Sequence, residues 1–286
     1  YMGFNRTRNK IDAAKWISIM ETNKIYNENC LETMSRMKDN FIDLTVTSPP
    51  YDNIRTYNGY EFDFKTIAKE LYRVTKEGGV VVWIVGDATV KGSETGTSFR
   101  QALYFMECGF KLHDTMIYKQ NRVTFPHKNL YHQCFEYMFI LVKGKIKTAN
   151  LIHDRKNKNF NPNNNKTFDN THREPNGKLI KKKSNPIKEY GARWSIWQYN
   201  TGKNKSTKDD IAFKHPAIFP EKLANDHIIS WSNEGELVYD CFMGSGTTAK
   251  MSLLNNRKYI GSEISKEYVD LANKRIEQHK QQVRMF

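Results

Sequence analysis

Cysteines are few and long apolar segments are missing in this chain of 286 residues. The four cysteines are scattered without a CxxC pair, which argues against a disulfide framework or a cysteine zinc site and fits a reducing cytoplasm. Apolar runs such as Val80–Val85 fall far short of the roughly 18–20 residues that span a bilayer. No secretory signal pattern is visible near the N-terminus. These absences predict a cytoplasmic protein without a membrane span, a disulfide core or a bound metal.

Acidic residues are also few relative to basic ones. The chain has 45 Lys and Arg against 31 Asp and Glu, a net charge of +14. Residues 143–210 hold 17 basic and six acidic residues and so carry a net +11 of this charge. The segment is rich in asparagine and poor in apolar periodicity. It is either a solvated, partly disordered loop or a phosphate-binding region of a nucleic-acid protein, and charge alone does not decide between them.

Apolar runs alternate with helical stripes along the rest of the chain. The pattern predicts strands at 41–47, 80–85, 110–118, 135–142, 236–239 and 259–262, and helices at 64–75, 98–107, 218–230, 247–254 and 265–279. This alternation predicts an α/β fold with a mainly parallel sheet and helices on both faces. Gly78-Gly79 is expected to end the first helix. Ordered α/β structure is predicted on both sides of the basic segment, which indicates that the segment is an insertion.

A glycine turn follows a predicted strand near the C-terminus. Asp240 ends the strand, and Phe242-Met243-Gly244-Ser245-Gly246-Thr247 leads into the next helix. Such a turn lets a ligand approach the backbone, with helix N–H groups pointing at an anionic group. Glu263 ends the following strand, where an acid binds ribose hydroxyls in nucleoside-binding βαβ units. Turn and acid together predict a nucleoside cofactor, and an exposed strand-end charge is the alternative for Glu263.

The tetrapeptide Ser48-Pro49-Pro50-Tyr51 lies at the predicted carboxyl end of a strand, where ligands of open parallel sheets bind. Two prolines hold the backbone extended and remove two N–H donors, which leaves carbonyl groups to accept hydrogen bonds. A serine hydroxyl, proline carbonyls and an aromatic ring can bind an exocyclic amine and stack on the ring that carries it. The alternative is a plain proline-rich turn with a packing tyrosine.

Together these two motifs resemble those of the amino-group DNA methyltransferases that use S-adenosylmethionine. The family's catalytic tetrapeptide is Asp/Asn/Ser-Pro-Pro-Tyr/Phe, and its cofactor loop reads Phe-x-Gly-x-Gly. Here the tetrapeptide comes first, then the basic segment, then the loop, an order that resembles the circularly permuted β-group. Residues 214–220, Lys-His-Pro-Ala-Ile-Phe-Pro, resemble an additional cofactor-side motif. The resemblance implies a Rossmann-like fold with a catalytic half at 1–142, a target-recognition insertion at 143–210 and a cofactor-binding half at 211–286.

The resemblance also implies roles for individual residues. Within the catalytic tetrapeptide Ser48-Pro49-Pro50-Tyr51, the serine and the first proline carbonyl would accept hydrogen bonds from the target amine, and the tyrosine would stack on a base flipped out of duplex DNA. The implied cofactor contacts are Asp240, Phe242, Gly244, Ser245, Gly246 and Thr247 around the methionine part, Glu263 on the ribose, Ile264 against the adenine, and His215, Phe219 and Pro220 near the carboxylate. Asp240 would lie under the cofactor's amino group or orient the loop. Phe219 and Ile264 could equally be core residues, and His215 could cap a helix.

The basic segment would then be the region that recognises the DNA target and makes binding depend on salt. The predicted DNA contacts are Lys181, Lys182, Lys183, Arg193 and Arg122. The lysine triplet is expected to meet phosphate or solvent and not to read bases. Trp194 and Trp197 are expected to pack the segment onto the domain.

The residue before the prolines bears on the reaction. In this family a serine there usually accompanies cytosine N4 methylation and an aspartate adenine N6 methylation, so Ser48 favours cytosine, with adenine as the alternative. No Pro-Cys dipeptide occurs, which disfavours carbon-5 cytosine methylation. The rival classes are a methyltransferase for protein or RNA amides and a non-catalytic DNA-binding module. A homodimer and a cognate restriction endonuclease are further partners that the resemblance suggests.

Overall fold

The computed structural model describes residues 20–50, 62–121, 128–162, 168–202 and 204–284. Tyr51 and Arg122, two of the predicted site residues, lie outside these ranges. The helices are α1 (Cys30–Ser35), α2 (Phe64–Val74), α3 (Thr97–Glu107), α4 (Glu221–Trp231), α5 (Thr247–Leu254) and α6 (Lys266–Arg284), with a short 3₁₀ helix at Asp210–Lys214. The strands are β1 (Lys24–Tyr26), β2 (Ile42–Thr47), β3 (Thr75–Val85), β4 (Thr89–Val90), β5 (Ser93–Glu94), β6 (Phe110–Gln120), β7 (Phe135–Lys143), β8 (Arg155–Lys156), β9 (Phe168–Arg173), β10 (Leu179–Ser184), β11 (Tyr190–Gly191), β12 (Ile196–Tyr199), β13 (Leu237–Asp240) and β14 (Lys258–Ser262).

Eight of the described strands form one sheet in the order β1-β14-β13-β2-β3-β7-β6-β12. Its strands run parallel except for β7, which is antiparallel to β3 and β6. The strand order reverses between β2 and β13, because the chain continues to β3 on one side and to β14 on the other. Ligands of open α/β sheets bind at such a switch point, beyond the carboxyl ends of the strands. The mainly parallel α/β fold expected from the sequence is confirmed.

Apolar side chains cover both faces of the sheet, as a parallel sheet between helices requires. Along β3 the odd-numbered residues 81, 83 and 85 pack with α1, α2 and α3, whereas the even-numbered residues 80, 82 and 84 pack with α4 and α5. Every side chain of Val80–Val85 is at most 1% exposed, which explains the uninterrupted apolar run. None of the described helices is long and apolar enough to cross a membrane.

Several boundaries differ from the sequence-based expectations, and two of these differences have a clear physical cause. α2 ends at Val74, and Gly78-Gly79 lies inside β3, where the register between β2 and β3 shifts. A Cβ on Gly79 would lie 2.9 Å from the carbonyl oxygens of Asp43 and Lys76, so the bulge needs glycine for close backbone approach. α4 begins at Glu221, because the extended Pro220 is its N-cap residue.

The basic segment 143–210 is not structurally uniform. Its β12 is an edge strand of the main sheet, and Ile146 and Ile152 pack on the same core. Between 155 and 191 the described residues instead form two small strand pairs, β9 with β10 and β8 with β11. These 37 positions hold ten basic and three acidic residues, and we call residues 155–191 the basic extension. A recognition role for the insertion stays a prediction.

Candidate active site

A cavity of about 860 Å³ opens at the carboxyl edge of the main sheet. Both predicted motifs line it, the tetrapeptide through Ser48-Pro49-Pro50 and the glycine turn through residues 240–245, 247 and 248. Strand pairing explains why they meet: Leu44 pairs with Val238 on neighbouring parallel strands that both end at this edge. Residues 193 positions apart in the sequence, Thr47 and Asp240, are therefore in contact.

The buried carboxylate of Asp240 joins the two motifs. Its Oδ1 accepts hydrogen bonds from the hydroxyl of Thr47 at 2.7 Å and the backbone N–H of Phe242 at 3.0 Å. Its Oδ2 accepts one from the hydroxyl of Thr248 at 2.7 Å. Burial raises the pKa of Asp240, and the three hydrogen bonds oppose that rise. These contacts hold the loop after β13 against the end of β2, and a contact between Asp240 and the cofactor's amino group stays a prediction.

The turn before α5 needs glycine for its backbone and for space. Gly244 and Gly246 have φ angles of 50° and 80°, in the left-handed region. A Cβ on Gly244 would lie 3.0 Å from Nε2 of His215, and one on Gly246 would lie 2.8 Å from Cβ of Ala272 on α6. α5 starts directly after this turn at Thr247, and its first residues line the cavity. The N–H groups and dipole of a helix start favour an anionic group there, such as a carboxylate.

Glu263 follows the last residue of β14 and lines the cavity. Its Oε2 accepts a hydrogen bond from the N–H of Gly244 at 2.9 Å, and its Oε1 accepts one from the N–H of Ser265 at 2.9 Å. Burial raises the pKa of Glu263, and these backbone N–H groups oppose the rise. A carboxylate has about four acceptor sites, so it can still accept hydrogen bonds from hydroxyl groups. The carboxylate is held in place, unlike an exposed strand-end charge, and its ribose contact stays a prediction.

The segment ahead of α4 closes one side of the cavity with His215, Phe219 and Pro220. The ring of His215 packs edge-on against Tyr268 of α6, with ring centroids 4.4 Å apart. Phe219 also packs on the core, as its alternative interpretation expects, and its contact with the cofactor stays a prediction. Ile264 is 39% exposed and lines the cavity.

The described part of the tetrapeptide is held at a fixed place relative to the glycine turn. Pro49 is buried, and Ser48 and Pro50 are half-buried. Thr47, directly before them, is 1% exposed and donates its hydroxyl to Asp240. No role for Thr47 is predicted from the sequence, although its place at the end of a buried strand beside the motif is a usable signal.

The far wall of the cavity is also not predicted from the sequence. Tyr118 and Gln120 from the end of β6 line it, together with Glu136 from the start of β7. The amide Nε2 of Gln120 donates a hydrogen bond to Oε1 of Glu136 at 2.6 Å. Because β7 runs antiparallel, its first residues reach the same edge as the ends of the parallel strands. Strand direction is not readable from an apolar run, so the sequence does not bring this pair to the site.

The predicted DNA contacts lie in different surroundings. Lys181, Lys182 and Lys183 are exposed on β10, in the basic extension. Arg193 instead forms ion pairs with Asp154 and Asp226, and its guanidinium lies 5.1 Å from the ring centroid of Trp197. These contacts tie the end of the basic extension to the main sheet and α4. The DNA contact predicted for Arg193 stays a prediction.

The residues around the cavity fit S-adenosylmethionine. The volume lies in the range of roughly 300–1,000 Å³ that small-molecule sites occupy. A helix start suits the cofactor's carboxylate, Glu263 offers acceptors for ribose hydroxyls, and Ile264 offers an apolar surface for adenine. Within the described residues, no group of three His, Cys, Asp or Glu side chains could hold a metal ion.

Comparison with known proteins decides the family. A family profile described as DNA methylase matches residues 42–274. The orphan methyltransferase M.BamHII of Bacillus amyloliquefaciens is 63% identical over 248 residues, which cover 85% of this chain and 93% of the relative. The chain belongs to the DNA methylase family. This methylase is also similar to the type II methyltransferase M.BglII of Bacillus subtilis, at 27% identity over 87% of this chain and 68% of that protein. Its cofactor is S-adenosylmethionine.

Solved structures share the fold of this methylase. The PvuII DNA methyltransferase, described as cytosine-N4-specific, has a TM-score of 0.66 at 20% identity, over 87% of this chain and 84% of that one. A DNA modification methylase from Thermus thermophilus, complexed with S-adenosyl-L-methionine, has a TM-score of 0.60 at 21% identity, over 89% and 93%. At such identities the likeness establishes the Rossmann-like fold that the resemblance implies.

Proposed function

We propose that this methylase transfers a methyl group from S-adenosylmethionine to the N4 amine of a flipped cytosine at specific sites in duplex DNA. The observation that carries the proposal is the 2.7 Å hydrogen bond between Thr47 and Asp240. It holds Ser48-Pro49-Pro50 beside the glycine turn in one cavity. The groups expected to bind the amine and those expected to bind the cofactor therefore open into the same space.

Methyl transfer to an amine mainly requires that the side chains position the reacting groups. An exocyclic amine is a poor nucleophile because its lone pair is conjugated with the ring. The hydroxyl of Ser48 and the carbonyl of Pro49 accept the two amine hydrogens, which localises the lone pair as the nitrogen becomes tetrahedral. Bound S-adenosylmethionine supplies an electrophilic methyl group on its sulfonium. Positioning and electrostatics then lower the barrier, and the acidic proton left on the methylated nitrogen passes to solvent without a side-chain base.

Ser48 supports cytosine as the target. A hydroxyl is smaller than the aspartate carboxylate that usually precedes the prolines in adenine enzymes of this family. We therefore infer that it suits the pyrimidine cytosine.

The test is methyl transfer to unmethylated duplex DNA, followed by nucleoside mass spectrometry. We expect N4-methylcytosine, and a matched reaction with Ser48→Ala should yield little of it. N6-methyladenine without N4-methylcytosine would overturn the choice of base. Methylated RNA or protein with unmodified DNA would overturn the DNA substrate.

The basic extension supports recognition of duplex DNA. Its lysine triplet on β10 is exposed, and its ten basic residues outnumber three acidic ones. Charges of this kind bind phosphate and position a protein on DNA. A restriction endonuclease partner stays a prediction, because M.BglII is named a type II methyltransferase whereas M.BamHII is named an orphan.

The exposed face of α3 supports a homodimer. Phe99, Leu103 and Met106 are 49%, 59% and 44% exposed and share one helix face. Arg100 and Glu107 flank Leu103 on one side of this face. In an antiparallel pairing about a two-fold axis near Leu103, Arg100 of each copy would lie beside Glu107 of the other, so the face is self-complementary. Sedimentation velocity should show a dimer for the natural protein and a monomer for Leu103→Glu, and a monomeric natural protein would contradict this pairing.

A further inference from the structure

Four charged side chains form a cluster beside the glycine turn, in which the two cations are buried and the two carboxylates are half-buried. Arg275 of α6 is fully buried, with Nε 2.7 Å from Oδ2 of Asp209 and Nη2 2.5 Å from Oε1 of Glu221. Nζ of Lys250 on α5 lies 2.7 Å from each of the same two oxygens. Two cations and two carboxylates balance, which such burial requires. Burial acts to raise the pKa of Asp209, but Arg275 and Lys250 together lower it below the ordinary range.

The remaining guanidinium nitrogen of Arg275 points at the glycine turn. Its Nη1 donates hydrogen bonds to the carbonyl oxygen of Ser245 at 3.1 Å and to the hydroxyl of Thr247 at 2.9 Å. These two residues flank Gly246, whose φ of 80° makes the turn sharp. One planar, always charged group therefore spans the turn and the carboxylate pair.

The two carboxylates come from two other parts of the chain. Asp209 lies near the end of the basic segment, after β12 has joined the main sheet. Glu221 is the first residue of α4 and directly follows the cofactor-side residues His215 to Pro220. The hydroxyl of Thr207 strengthens this junction, since it donates to Oε1 of Glu221 at 2.8 Å. The cluster thus joins the end of the basic segment, the cofactor-side residues 215–220 and the glycine turn.

We propose that Arg275 is a positioning residue for the cofactor, which fixes the Ser245–Thr247 turn and is itself fixed by Asp209 and Glu221. The inference rests on the proposed placement of the cofactor's methionine part against this turn. Without Arg275 the turn loses two donors, and the two carboxylates keep Lys250 as their shared cation. A small shift of the turn then weakens binding at a site where ångström errors matter.

The first test compares two buried arginines. Arg257 is 9% exposed and donates to the carbonyl oxygens of Ser232 and Asn255, none of which lines the cavity. Calorimetric titration with S-adenosylhomocysteine gives the Kd, and thermal unfolding gives the Tm. We expect Arg275→Met to raise the Kd at least about tenfold, as the loss of charge-assisted hydrogen bonds implies, and Arg275→Lys to raise it less. Arg257→Met should lower the Tm and leave the Kd unchanged.

The second test uses two neighbouring acids and decides the question even where Arg275→Met does not fold. Asp209→Asn should raise the Kd several-fold, whereas Asp210→Asn, an exposed acid outside the cluster, should not. With Asp209→Asn we also expect a higher KM for S-adenosylmethionine and an unchanged kcat at saturating cofactor. A Kd for Asp209→Asn equal to that of Asp210→Asn would overturn the positioning role, as would a folded Arg275→Met with the natural Kd. If the natural protein fails to bind S-adenosylhomocysteine, the cofactor placement itself is wrong.

Discussion

The glycine turn and the basic extension are both rich in polar groups, but the fold holds them in opposite ways. Around the turn, Asp240 has three internal donors, Glu263 has two, and Arg275 meets two carboxylates and the turn itself. In the basic extension, the lysine triplet faces solvent, and the β9–β10 hairpin pairs with no other described strand.

This difference separates chemistry from recognition. A methyl transfer tolerates little error in position, so the residues expected to place the cofactor are over-determined by internal bonds. Phosphate contacts act through long, flexible side chains, and their partner lies on another molecule. Internal pairing of the lysines would remove the charge that DNA binding needs. Of these two regions, the one whose polar groups are paired internally is the candidate catalytic region, and the one whose lysines are exposed is the candidate DNA surface.

The largest effect should come from the residue at the cavity where the two motifs meet. Ser48→Ala removes one acceptor for the amine, so we expect kcat to fall by roughly 10²–10³-fold, as when one transition-state hydrogen bond is lost. The Kd for S-adenosylhomocysteine should stay close to its natural value. Steady-state kinetics and calorimetry measure the two quantities. The matched control is Ser35→Ala, the same change at an exposed position on α1, and equal losses of kcat and cofactor binding would point to a structural Ser48.

Two glycines allow the two regions to be compared by the same substitution. Gly246 and Gly177 have φ angles of 80° and 86°, but a Cβ on Gly246 would lie 2.8 Å from Ala272, and one on Gly177 would have nothing within 4 Å. Gly177→Ala should therefore lower the free energy of unfolding by about 1 kcal/mol through backbone strain. Gly246→Ala adds overpacking against α6, so it should lower the free energy of unfolding by about 2–4 kcal/mol in total. It should also weaken cofactor binding. Urea unfolding and calorimetry measure these effects, and equal losses would mean that the turn is as tolerant as the hairpin.

The elements and the two motifs are predictable because each depends on local patterns. The buried run Val80–Val85 and the stretch Asp240–Thr247 lie where the sequence places them. The hairpin β9–β10 is missed despite the Asn176-Gly177 turn, a strong hairpin signal, because lysines occupy the positions where apolar alternation is expected. The Arg275 cluster cannot be predicted from local sequence patterns, since Asp209 and Arg275 are 66 positions apart. The sequence does place Arg275 next to Ile276 on the apolar stripe of α6. This position indicates that Arg275 is buried, and a buried charge needs a partner.

A smaller effect is expected when charge is removed from the basic extension. Lys181 and Lys183 point to one side of β10 and Lys182 to the other, because side chains alternate along a strand. Each lost phosphate contact reduces the slope of log K for DNA binding against log salt concentration by about 0.9. Changing all three lysines to Gln should therefore reduce the slope by about one to two. DNA affinity should fall roughly tenfold, and the cofactor Kd should not change. Fluorescence anisotropy with a labelled duplex at several salt concentrations measures both affinity and slope.

The matched control for the lysine triplet removes the same charge from the cofactor half of the chain. Lys258, Lys266 and Lys280, changed together to Gln, lower the net charge by the same three units. The salt slope should then stay at its natural value. An equal drop in slope would mean that total charge, and not the basic extension, governs DNA binding.

The smallest effect should be the pH dependence that Glu263 confers on cofactor binding. Burial raises the pKa of this carboxyl, although the N–H groups of Ser265 and Gly244 oppose the rise. Binding needs the ionised form as an acceptor, so affinity is complete above the raised pKa and falls as the pH drops through it. Between about pH 7 and pH 5 the cofactor's own amino and carboxyl groups keep their charge. We therefore expect the Kd for S-adenosylhomocysteine to rise as the pH falls, and this rise should begin at a higher pH than an ordinary glutamate would produce.

Two variants isolate the part of this dependence that belongs to Glu263. Glu263→Gln should bind more weakly at every pH, with a flatter profile, because the amide does not titrate. Some slope should persist, since the pKa of the buried Asp240 is also raised and its carboxylate holds the glycine turn. Glu267→Gln, an exposed change in the first turn of α6, should follow the natural profile. A flat natural profile would show that the carboxylate beside Gly244 does not bind the cofactor in its ionised form, and would leave the turn itself as the main cofactor contact.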